Sequence, residues 1–302
     1  MDRDAQLVKE KSIKRAKRER FMSHAFFATA ATSVLAVALI CVFLLLGGIP
    51  AMREIGLIRF LTGTKWRPNN NLFGILPMIL GSIYITLGAI IFGVPTGILV
   101  AVFLAKYCPE KIYRPLKMAT ELLAGIPSVV YGLFGLVVLV PLLRNFLRTM
   151  GWGNSGNTIL TASMLLGIMI LPTIIGVTES AIRAVPAYYY EGALALGATH
   201  ERSIFVVVLP AAKSGIMAGV VLGIGRAIGE TMAVIMVAGN QARMPASIFQ
   251  GVRTLTANIV MEMGYATDLH REALIATAVV LFVFVLLINL CIAVLRRRTT
   301  HG

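Results

Sequence analysis

Long apolar runs alternate along the chain with short segments that hold most of its charge. A bilayer core of about 30 Å needs roughly 20 apolar residues in helical form. Five runs without Asp, Glu, Lys or Arg meet that length: Phe21–Met52, Pro68–Ala105, Leu122–Leu143, Thr149–Thr178 and Ala273–Leu295. A sixth, Ser214–Ala242, is equally apolar except for Arg226 and Glu230. The first run follows a basic leader too long for a cleaved signal peptide, and its apolar stretch is too long for an h-region.

The second run could be one helix with an interfacial lead-in, or a hairpin broken near Gly93-Val94-Pro95. Topology decides. One span, about Gly81–Ala105, gives six in all and puts both termini on the same side. The N-terminal tail, the Lys106–Lys117 loop, the Arg183–Lys213 loop and Arg296-Arg297-Arg298 then place eighteen basic residues inside, against nine in the outside loops. Cationic loops stay cytoplasmic, so six spans with both ends cytoplasmic is the expected arrangement.

Composition narrows the class further. Hydrophobic types are 57% of 302 residues and charged types 14%, against about 45–50% and 25% in soluble domains. This excludes a soluble globular or disordered chain. The net charge of +14 could suggest nucleic-acid binding, but its loop-by-loop distribution reads as topology, with the bilayer and not nucleic acid as the partner. Cys41, Cys108 and Cys291 have no metal or disulfide spacing and read as packing residues. The domain reading is a basic cytoplasmic tail over 1–22, a first span and periplasmic loop over 23–71, and a five-helix core over 72–302.

The longest inside connection, 183–213, predicts a helix-turn-helix across the inner face. Pro186 suits the first turn of a helix, Glu191 complements its dipole, and Gly197 can end it in a left-handed conformation. The second segment, His200–Val208, is expected to stop at Leu209-Pro210 before the next span. Small residues, Gly192, Ala193, Ala195 and Ala198, at the bend permit close approach by another surface.

In the sixth run Arg226 and Glu230 are four residues apart and would share a helix face. Arg226 is about 20 Å along the helix from Lys213, near mid-depth. Ionisable groups at that depth are costly and usually pair, facing the bundle interior. Gly215, Gly219 and Gly223 fall on the same stripe and permit a close helix neighbour. Lys117 with Glu121, and Glu179 with Arg183, have the same spacing at inner span ends and read as interfacial ion pairs.

Two patterns in the chain are recognisable. Glu191-Gly192-Ala193, three residues, Gly197, nine residues, Val207, one residue and Leu209-Pro210 resemble the "EAA" loop of ABC importer permeases, with Gly192 for the first Ala and Val207 for the Ile. Glu121–Gly132 and Gly223–Val234, which includes Gly229-Glu230-Thr231, resemble the PstC-type permeases of bacterial phosphate-specific transport. The likeness runs from about Gly81 to the C-terminus.

The resemblance implies an all-α membrane protein with a MetI-like permease core in the bacterial inner membrane. It implies a PstA-type permease partner, two ATPase subunits and a periplasmic phosphate-binding protein, with outside loops Arg53–Asn71 and Gly239–Glu272 as docking surfaces. The loop over 183–213 would be the coupling helix, with Glu191, Gly192, Ala193, Gly197, Leu209 and Pro210 meeting the ATPase. Arg226 and Glu230 would line or gate the phosphate path. The chain has no Gly-x-x-x-x-Gly-Lys-[Ser/Thr] loop, so no cofactor is expected in it and ATP belongs to the partner. Phosphonate, sulfate or molybdate stand as alternative cargoes. An ion-coupled secondary transporter would also bury charges, but no inverted repeat is present. An intramembrane enzyme would need a constellation that the scattered His24, His200, His270 and His301 do not form.

Overall fold

A computed structural model describes the backbone of residues 2–151 and 156–300, and the side chains of 19–151, 156–290 and 294. In chain order the elements are α1 (Asp2–Ile55), α2 (Leu57–Thr62), β1 (Trp66–Arg67), β2 (Leu72–Phe73), α3 (Leu76–Val102), α4 (Glu110–Gly125), α5 (Ser128–Phe134), α6 (Val140–Thr149), α7 (Ile159–Arg183) and α8 (Ala187–Ala195). Then come α9 (His200–Arg202), α10 (Leu209–Ala211), α11 (Lys213–Gly229), α12 (Met232–Val237), α13 (Leu255–Glu262) and α14 (Asp268–Thr300). Single π-type turns at Phe103–Tyr107, Gly135–Leu139 and Ser203–Val208 keep α3, α5–α6 and α9–α10 continuous.

Among the described residues, five helices are long and apolar enough to cross a membrane, and a bent pair supplies a sixth. The second run is one helix over Leu76–Tyr107, with Pro95 inside it, so the hairpin alternative is eliminated. Its lead-in forms the antiparallel ribbon β1–β2, Trp66 opposite Phe73.

Two boundaries differ from expectation. The third span is Ser128–Thr149, displaced outward from Leu122–Leu143. Pro127 is the cause: the residue before a proline is driven out of the helical region, and Ile126 is extended at φ −69°, ψ 127°. The fourth span is Ile159–Arg183, not Thr149–Thr178; part of that expectation, 152–155, lies outside the described residues. Gly156 turns the chain at φ +84°, and Thr158 caps the new helix by accepting from the Thr161 N–H at 3.2 Å. Such a cap satisfies a backbone donor that no helical carbonyl reaches.

The most buried span is α7. Helices α3 and α11 pack on it, and α1 pairs with α14. The central core gathers Leu165, Met169, Ile170 and Ile174 of α7 with Val234 and Val237 of α12. An outer cluster joins Phe60, Trp66 and Phe73 to Leu255 and Leu274. An inner cluster joins Val102 and Ile182 to Ile204 and Val208. The expected glycine stripe is real: Gly223 is buried against α7, and a Cβ there would stand 2.8 Å from Ile174 Cγ1. The missing side chain is what brings α11 to α7.

Candidate functional site

The inner connection folds largely as its residues dictate. Pro186 precedes α8 as its cap rather than occupying its first turn. At the other end Gly197 takes φ +84°. The Ala198 N–H donates to the Ala193 carbonyl at 3.1 Å and the Gly197 N–H to Leu194 at 2.9 Å. That is the paired closure of a Schellman end, which needs a residue free of the left-handed penalty. Glu191, Gly192 and Gly197 are exposed, and space around both glycines is open. Leu196, 91% exposed, and Tyr188, 66% exposed, make the outer side of α8 apolar.

The expected stop at Leu209-Pro210 is not where the chain turns. The helix runs through Pro210 to Ala211, and the 70° bend follows before Lys213. A proline ring collides with the carbonyl four residues back. Here the preceding turn, Ser203–Val208, widens to π geometry and absorbs the collision.

Arg226 and Glu230 are not joined as the helix wheel predicts. Helix α11 ends at Gly229, and Glu230 is extended at φ −70°, ψ 131°. Its carboxylate Oε1 accepts from the Thr231 N–H at 3.0 Å and the Ala233 N–H at 3.2 Å. Its own carbonyl accepts from the Thr256 hydroxyl at 3.2 Å. Glu230 therefore caps α12 and is tied to α13. The competing interaction is the backbone: the break frees N–H groups that would cost more unsatisfied than the ion pair would return. Arg226, half-buried, makes no ion pair among the described residues. The Tyr131 hydroxyl donates to the Leu123 carbonyl at 2.8 Å, across the kink between α4 and α5.

The expected Glu179–Arg183 pair forms, at 2.9 Å, but within a larger centre than its spacing shows, and a second carboxylate centre was not anticipated. Glu179, 1% exposed, accepts from Lys117 Nζ at 2.7 Å, Tyr113 Oη at 2.6 Å and Arg183 Nε at 2.9 Å. Lys117 therefore pairs across helices, not with Glu121 as its spacing suggests. The Arg183 guanidinium also donates to the Leu104 carbonyl at 2.8 Å and lies 4.4 Å from the Tyr113 ring centre. Donation to a carboxylate, aided by burial, holds the Tyr113 phenol above its ordinary value. On the outer side Glu262 accepts from Arg253 Nη1 at 2.5 Å and Trp66 Nε1 at 2.8 Å, with His270 Nε2 at 2.9 Å. At the first centre the sequence offered the Glu179–Arg183 spacing; at the second it offered only a lone glutamate. Among the described residues no group of three His, Cys, Asp or Glu could hold a metal ion.

The described architecture is that of a permease, and comparison with known proteins agrees. Residues 93–301 match the family described as "Binding-protein-dependent transport system inner membrane component". The chain belongs to that family. Over 276 residues it is 39% identical to the "Phosphate transport system permease protein PstC" of Mesorhizobium japonicum, covering 83% of this chain and 84% of that one. It is 38% identical to the "Probable ABC transporter permease protein YqgH" of Bacillus subtilis, covering 87% of each. An inward-facing MetNI methionine ABC transporter structure shares the fold with TM-score 0.59 at 21% identity, covering 78% of this chain and 99% of that one. The MetI-like permease core expected from sequence is therefore present. As an integral membrane component, this permease sits in the bacterial inner membrane and is not itself the enzyme that hydrolyses ATP.

Proposed function

We propose that this permease forms the path through which an ATP-driven importer carries inorganic phosphate into the cell. The observation that carries the reading is Arg226: a half-buried guanidinium in the last turn of α11, released from its neighbouring carboxylate by the break at Glu230. A forked, permanently charged donor set suits a tetrahedral oxyanion. The names of the relatives above support phosphate as that anion.

The break suggests how binding and release alternate. In the observed state Glu230 caps α12 and Arg226 is free for cargo. If α11 and α12 joined into one helix, Glu230 would return to within a turn of Arg226 and compete with the anion. An arginine that binds too tightly would stall transport, and a carboxylate within a turn offsets that.

The remaining components are a PstA-type second permease, two ATPase subunits that bind ATP, and a periplasmic phosphate-binding protein. The outer loops Arg53–Asn71 and Gly239–Glu272 would receive the binding protein. Glu191, Gly192, Ala193 and Gly197 on α8 would meet an ATPase, with Leu209 and Pro210 setting the helix that returns to the membrane.

Vesicles holding the complex, energised with internal or external ATP as orientation requires, should accumulate radiolabelled phosphate and ignore excess sulfate. Uptake driven by an ion gradient without ATP would overturn the reading, and competition by sulfate would overturn the choice of cargo. A second expectation concerns α8. Gly197→Val places a β-branched residue at φ +84°, at a cost of about 1–2 kcal/mol. Co-purification of the ATPase should weaken roughly five- to thirtyfold. Unchanged retention would remove α8 from the docking surface.

A further inference from the structure

At the inner end of α3 the chain forms an open cavity of about 700 Å³ beside the root of the coupling helix. Four cations line it, Lys106, Lys111, Arg114 and Arg183, against one carboxylate, Glu110. Glu110 stands in the first turn of α4, where a helix dipole already favours a negative charge. Lys111 and Arg114 have no ion-pair partner among the described residues, and Lys106 lies 5.8 Å from the Tyr190 ring centre of α8. Arg183 holds Glu179 and the Leu104 carbonyl, yet its side chain remains 46% exposed.

The outer side of α4 has the opposite character. Ile112, Leu116, Met118 and Leu122 are 46%, 40%, 62% and 68% exposed, and α4 buries none of its residues. Arg114 and Lys117 lie on one side of α4 and these bare apolar residues on the other, with Lys111 starting the stripe that continues through Met118 and Leu122. An amphipathic helix of this kind, its lysine able to snorkel to the headgroups, at the cytoplasmic end of a span fits the plane of the inner headgroups. Basic pockets between spans on that side suit anionic headgroups.

We propose that this cavity binds an anionic phospholipid, with its phosphate among Lys111, Arg114 and Arg183 and its acyl chains along the apolar side of α4. A free phosphate would satisfy only the cationic half of the site; a phospholipid satisfies both. The bound headgroup competes with Glu179 for Arg183, which stands four residues before α8. Lipid occupancy therefore bears on how firmly the coupling helix is anchored.

The test uses the intact importer, extracted from membranes holding phosphatidylglycerol and phosphatidylcholine, with retained lipid read by native mass spectrometry. The wild type should retain phosphatidylglycerol in preference to phosphatidylcholine, and excess inorganic phosphate should not displace it. The double variant Lys111→Gln, Arg114→Gln, which leaves the Glu179 centre intact, should retain roughly thirtyfold less with all subunits still present. Equal retention of both lipids, or unchanged retention by the double variant, would overturn the proposal. Displacement by inorganic phosphate would make the cavity a free-anion site. Loss of a subunit from the double variant would make it a protein interface.

Discussion

Replacing Arg226 with glutamine lowers ATP-driven phosphate uptake by one to two orders of magnitude, while the permease still assembles with its partners. The magnitude follows from the chemistry. A hydrogen bond to a charged group contributes about 1.5–3 kcal/mol, or roughly ten- to more than a hundredfold. The structural cost is small, because Arg226 holds no ion pair among the described residues and its neighbour Glu230 is satisfied by the Thr231 and Ala233 N–H groups. Radiolabelled uptake per assembled complex measures the effect. Retention of more than about half the wild-type rate would reduce Arg226 to a structural side chain. Arg226→Lys sharpens the test: it keeps the charge but loses the fork, so it should recover only part of the rate.

Glu179→Ala has the largest effect on the fold. The carboxylate is the shared acceptor for Lys117, Tyr113 and Arg183, and it is the hinge pin between α4 and α7. Removing one partner of a buried pair costs about 3–5 kcal/mol. The cations here keep 26% and 46% of their side chains exposed, so solvent recovers part of that. A loss of about 2–3 kcal/mol is expected after this screening, which lowers the apparent melting temperature of the complex by roughly 5–10 °C. A fall of less than about 2 °C would show that the centre does not hold α4 in place. Glu179→Gln keeps the Tyr113 bond and should fall between the two.

The contrast between these residues shows what a sequence can and cannot disclose. Six spans were legible because apolar length is a one-dimensional property, and a bilayer reads it residue by residue. The end of α8 was legible because Gly197 is the one residue type that closes such a turn without strain. The break at Glu230 was not. No proline marks Ala227-Ile228-Gly229-Glu230-Thr231, and the Glu230 carbonyl there is held by Thr256, 26 residues along the chain, a contact that no local pattern announces. The Glu179 centre was legible only in its Arg183 pair, again because of distance along the chain. Its partners Tyr113 and Lys117 are 66 and 62 residues away in sequence, whereas the spacing argument looks only one helical turn. Local chemistry placed the backbone, and long-range polar contacts decided where the charges ended.

The outer carboxylate centre gives this protein a built-in optical reporter. Of its two tryptophans, Trp66 donates its indole N–H to buried Glu262 at 2.8 Å and meets Phe73 and His270 edge-on, at 5.6 and 6.2 Å between ring centres. The indole stands on the ribbon before α3, while Glu262 ends α13 and His270 begins α14. Any rearrangement that parts these three segments rehydrates a buried fluorophore and moves its carboxylate and imidazole neighbours together. With Trp152 replaced by phenylalanine, the emission of a single residue would follow the periplasmic mouth in real time, without a dye, through each catalytic cycle of the motor on the opposite face.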